Sequence, residues 1–169
     1  MATEQLHEVK REYAGGEDRP LGSFLAVMAT YAAVVGAGAA VVRARRIPMP
    51  ESISWSDLAL LTIATHKLSR RIAKDPVTSP LRAPFTRFEG TSGPAELSEE
   101  VRGRGVRKAV GELVTCPFCL DQWVATGLTF GYVVRPRLTR LAASVLTMVA
   151  GSDLLQFAYA KAEQAAEEG

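Results

Sequence analysis

The fold class the sequence predicts is all-α: a four-helix membrane bundle with a long cytoplasmic loop between helices 2 and 3. The first observation is Leu21–Val42, which holds no charged residue. Its 22 positions match the roughly 20 a helix needs to cross a hydrocarbon core. The second is three more helical stretches, about 55–73, 117–134 and 138–160, the first with a short purely apolar run that spans only if its last turns lie among headgroups or in a polar cleft. The third is segregation: 47% hydrophobic and 22% charged residues suit a soluble protein on average, but the two kinds lie apart. At 169 residues the chain is one domain long. It divides into a polar N-terminal segment (1–20), a membrane helical domain (21–160) and a polar tail (161–169).

The N-terminal segment has helix formers from Glu4 to Glu12, ended by Gly15-Gly16. So short a helix is marginal in isolation. Leu21–Val42 is too long for a secretory h-region and reads as an uncleaved anchor. Ala32, Gly36 and Ala40 fall four apart on it, as do Ala29, Ala33 and Ala37. Such faces let helices approach closely in lipid. Arg43, Arg45 and Arg46 close the span, and Pro48 and Pro50 mark a short connection.

Ser54-Trp55-Ser56-Asp57 resembles a capping box, with Ser54 as the cap. The helix it starts runs to about Ala73 and turns polar at His66-Lys67. Asp75-Pro76 stops it, because proline disfavours a helical residue before it. The loop 76–107 is rich in proline and glycine, and Glu89–Gly105 reads as its disordered part. A helical turn or two is expected over Ala95–Glu100. Pro117 suits the first turn of the third span, with Cys116 or Thr115 as cap. Gly127 and Gly131 make a G-x-x-x-G pair, a pattern common by chance. Arg135-Pro136-Arg137 turns the chain into the fourth span, which Asp153 interrupts.

With four spans, the N-terminal segment and the long loop share one side. Together they carry twelve basic residues, from Lys10 to Lys108. The opposite side carries six: Arg43, Arg45, Arg46, Arg135, Arg137 and Arg140. By lysine and arginine bias the expected localisation is the cell membrane, multi-pass, with both termini cytoplasmic.

Two groups could carry chemistry. Cys116-Pro117-Phe118-Cys119 has the spacing of thiol–disulfide sites, at a helix start that would favour a thiolate. That redox fold needs βαβ units, which the chain lacks. The alternative is a metal, with His66 as third ligand; zinc is the ion such a set would take, and it usually wants four. The bland reading is two reduced cysteines packed as small hydrophobes. The second group is polar: Arg70, Arg71, Asp75, Arg82, Glu112, Asp121 and Asp153. His66 and Arg70 share a helix face, as do Lys67 and Arg71. An acid at the depth of Asp153 should face the bundle and pair, with Arg70 or Arg71 the expected partner. No catalytic residues, nucleotide motif or nucleic-acid motif are visible.

The residues Thr65–Arg70, Asp75–Phe85, Gly111–Leu120 and Trp123, with Asp153, resemble the DUF1360 family of small bacterial membrane proteins. The resemblance runs over about Trp55–Phe157. It implies several spans, an association of some relatives with spore formation, and no established activity. Where the family has a small residue after Cys-Pro-x-Cys-Leu, this chain has Asp121, so either the helix packing loosens there or the charge has a partner. The function expected is a non-enzymatic membrane scaffold that docks a protein partner, or a second copy, through the cytoplasmic loop. The alternatives are a thiol or metal protein built on Cys116 and Cys119, and a small transporter subunit using Asp153.

Overall fold

The computed structural model describes residues 8–9, 12–15 and 19–167. Most of the polar N-terminal segment, and the last two residues of the polar tail, lie outside the described residues. The elements run α1 (Leu21–Ala44), α2 (Trp55–Lys74), a 3-10 turn (Pro76–Thr78), α3 (Ser79–Arg82), β1 (Thr86–Gly93), β2 (Glu96–Val101), α4 (Val106–Thr115), α5 (Pro117–Val134) and α6 (Pro136–Glu167).

Local chemistry sets most of these bounds. The Ser54 side chain accepts the Asp57 N–H at 3.1 Å and its hydroxyl donates to the Asp57 carboxylate at 2.9 Å, so Ser54 caps the start of α2. Asp75 ends α2, and its carboxylate accepts the Val77 N–H at 2.8 Å to start the 3-10 turn. Pro117 opens α5 with Cys116 as cap. A single residue, Arg135, separates α5 from α6. That turn is tight because Gly131 lacks a side chain: a Cβ there would lie 2.8 Å from the Thr139 hydroxyl. Gly127 faces open space, so the G-x-x-x-G pair does not mark one helix contact.

The four long helices alternate in direction. Tyr31 of α1 meets Trp123 of α5 edge-on at 5.1 Å, and Gly38 receives the Phe130 ring, so these two run parallel. The α2 helix pairs Asp57 with Arg140 and Lys67 with Asp153, so it runs parallel to α6. It runs antiparallel to α5, because Asp57 meets Tyr132 and Ser69 meets Asp121. A small core of Leu61, Ala64 and Ala143 sits between α2 and α6, flanked by Leu60, Leu128, Tyr132 and Leu146.

The all-α, four-helix membrane bundle is not what the chain forms. Two helices only, α1 with 24 residues and α6 with 32, are long and apolar enough to cross a membrane among the described residues. The α2 helix is amphipathic, with Asp57, Lys67, Ser69 and Arg70 directed at neighbours rather than lipid. The α5 helix carries Asp121 and Gln122 in its first half. The chain also forms a sheet. β1 and β2 pair antiparallel from Thr86↔Val101 to Gly93↔Glu96, with two register shifts. The stretch read as a disordered loop is therefore a hairpin, and Ala95–Glu100 contains a strand rather than a helical turn. At its base the Arg102 N–H donates to the Phe85 carbonyl at 2.9 Å. α4 seats on that base through Gly111, where a Cβ would meet Val101 at 2.6 Å.

Candidate functional site

The side chains that converge lie where the C-terminal half of α2 meets the hairpin, α4, α5 and α6. The segment from Asp75 to Thr115 forms a folded module at this end of the bundle.

Arg82 is its centre and is fully buried. Its guanidinium pairs with Glu99 of β2 and donates to the Ile72 carbonyl at 2.7 Å, the Thr78 hydroxyl at 2.7 Å and the Asp75 carbonyl at 3.1 Å. The Thr86 hydroxyl donates to the Arg82 carbonyl at 3.0 Å. A buried charge is tolerated when paired and hydrogen-bonded throughout, and this one ties the end of α2 to the hairpin. Arg70 reinforces the tie, donating through Nε to Glu96 at 3.0 Å. Arg71 stays local and pairs with Asp75 at 3.4 Å.

Deeper along α2, Lys67 pairs with Asp153 of α6. The expected partners, Arg70 and Arg71, are committed elsewhere. Lys67 reaches α6 while Glu96 holds Arg70 and Asp75 holds Arg71, and sequence spacing does not say which of these neighbouring positions meets α6. Ser69, fully buried, donates to Asp121 of α5, so the extra charge has a partner. Glu112 of α4 lies 3.5 Å from Arg19.

The cysteines are both free. The Cys116 sulfur accepts the Cys119 N–H at 3.2 Å. Lost hydration, then the neighbouring Cys116 and the charge of Glu112, push the Cys119 thiol up to about 11. A reactive cysteine needs the opposite shift, so Cys119 is protonated at neutral pH. The side chain of His66 is not brought to the thiols: no group of three or more His, Cys, Asp or Glu side chains that could hold a metal occurs among the described residues. Two thiols alone fall short of the four ligands of a structural zinc site.

Sequence reasoning missed a second polar lock at the opposite end of the bundle. Asp57 accepts from Arg140 Nε at 2.7 Å and from the Tyr132 hydroxyl at 2.8 Å. The Arg140 guanidinium, then the Tyr132 hydroxyl, hold the Asp57 carboxyl well below the usual carboxylate range. In the sequence Asp57 stands as the partner of the Ser54 cap; its place on a face with Leu61 and Ala64, at three- and four-residue spacing, is the signal for this second role. Glu96 and Glu99 were missed because the segment that carries them read as loop.

A family model described as "Protein of unknown function (DUF1360)" matches residues 60–159, from the first turns of α2 into the second half of α6. Among curated proteins the chain is similar to the sporulation protein YjcA of Bacillus subtilis (strain 168). The two are 26% identical over 107 residues, 62% of this chain and 91% of that protein. No solved structure matches.

Proposed function

The chain belongs to the DUF1360 family of proteins of unknown function, and from that premise we propose that it is a non-enzymatic integral membrane protein that holds a docking module at the membrane surface. One observation carries the reading. The two helices apolar enough to span are also the least covered: Leu25 and Met28 of α1 are 63% and 66% exposed, and Met148 and Leu155 of α6 are 65% and 73% exposed. Water would have to wet these faces along their whole length, whereas lipid tails cover them without loss.

The start of α1, the module and the later half of α6 share one end of the bundle. That end holds the larger number of lysines and arginines, so it faces the cytoplasm. The hairpin is the docking element. It is built from residues with little apolar area, yet two arginines of α2 and α3 fix it in place. Similarity to a sporulation protein supports a role in spore formation.

Two measurements test this. Carbonate washing leaves the full chain in the membrane pellet; its release overturns the membrane reading. Replacing residues 86–101 by a Gly-Ser linker leaves membrane insertion intact and abolishes the spore-formation role of the gene in its host. Normal spores from a cell carrying that variant overturn the docking role of the hairpin.

A further inference from the structure

The end of the bundle away from the module gathers the C-terminal end of α1, the start of α2 and the turn between α5 and α6. Arg43, Arg45, Arg46, Arg135 and Arg137 are all exposed there. None of the five forms an ion pair among the described residues. Asp57, an acid at this end, is already held by Arg140. Large apolar side chains of the same segments are exposed too: Trp55 is 86% exposed, Met49 73% and Leu138 64%.

We propose that this end is a docking collar for anionic phospholipid headgroups. Arginine presents a planar fork that fits a phosphate through two parallel N–H···O bonds. An exposed tryptophan at a helix start is placed as interfacial aromatics are, with its ring at headgroup level. The collar is continuous with the uncovered apolar faces of α1 and α6, so a lipid whose phosphate meets the arginines has a surface for its acyl chains. A free anion would use the arginines and leave Trp55, Met49 and Leu138 in water. The inference rests on the membrane reading of α1 and α6. It also explains a charge pattern that reading leaves over, since arginines flanking a span on the non-cytoplasmic side oppose insertion in the proposed orientation.

Native mass spectrometry of the detergent-purified full chain, exchanged with phosphatidylglycerol or phosphatidylcholine, provides the test. The wild type retains phosphatidylglycerol in preference. The variants Arg43→Gln/Arg45→Gln and Arg135→Gln/Arg137→Gln, which touch no paired residue, each lose that preference by about fivefold per arginine. The variant Arg87→Gln/Arg104→Gln, at the module end, keeps it. Equal retention of the two lipids by the wild type overturns the collar. So does displacement of phosphatidylglycerol by millimolar inorganic phosphate, or a loss as large in the module-end variant. Carbonate washing separates the two levels of failure. A chain that stays in the membrane without lipid preference removes the collar alone, and a chain that washes out removes both readings.

Discussion

Asp153 and Lys67 carry a testable claim about pairing. Lys67→Met leaves a half-buried carboxylate without its cation and is expected to cost about 1.5–3 kcal/mol, the range for hydrogen bonds to charged groups. In denaturant unfolding from detergent, Lys67→Met and Asp153→Asn should be strongly non-additive, because each removes the same interaction. Arg70→Gln should add to Asp153→Asn, because Arg70 serves Glu96. Additive loss for the Lys67 and Asp153 pair would remove it from the account. Cys119 makes a second claim. With its thiol held up to about 11, alkylation by iodoacetamide followed at that residue by peptide mass spectrometry should be slow at pH 7 and rise about tenfold per pH unit toward that value. Fast labelling at neutral pH would reopen the redox reading. Asp57 supplies the pH dependence. Its folded pKa lies below the unfolded value of about 3.9. Its contribution is therefore complete above that value and is lost only as pH falls through the depressed one. The melting-temperature gap between wild type and Asp57→Asn should stay constant from pH 8 to 5 and close only in strong acid.

Among the elements, those fixed by local chemistry were legible and the one fixed from outside was not. Ser54 and Asp57, Asp75-Pro76, and Pro117 after Cys116 each announced a helix end, and each end falls there. The hairpin announced little. Its strands alternate poorly because two register shifts break the period, and Glu96, Glu99 and Glu100 lend them the composition of a solvated loop. What orders them is Arg70 and Arg82, which stand in other elements. The polar cluster was legible as a set of residues for the same reason that its pairing was not: composition shows which charges lie in one region, and only packing shows which faces meet. Breaking the buried pair tests this account of the hairpin. Arg82→Met strands Glu99 and should cost about 3–5 kcal/mol, with residues 86–101 becoming the first site of proteolysis. A variant whose hairpin stays protected would mean that the strands hold themselves.

At the scale of the whole molecule, the long uncharged run of α1 was plain in the sequence, and so was the apolar character of α6. The number of candidate spans was overcounted because α2 and α5 alternate apolar with polar positions whose partners lie on neighbouring helices. Those partners have an arrangement with a further consequence. The pairs Arg19–Glu112, Asp57–Arg140, Lys67–Asp153, Arg70–Glu96 and Arg82–Glu99 all join a residue before the hairpin tip to one after it. Of the pairs seen among the described residues, Arg71–Asp75 stays within one half. Each half also owns one of the two most apolar helices. The protein is thus two complementary fragments stitched by charge and linked covalently at Gly93–Glu96. Expressed as separate chains, 1–93 and 94–169 should find each other and co-purify, and Arg82→Met in the first fragment should reduce the yield of the pair.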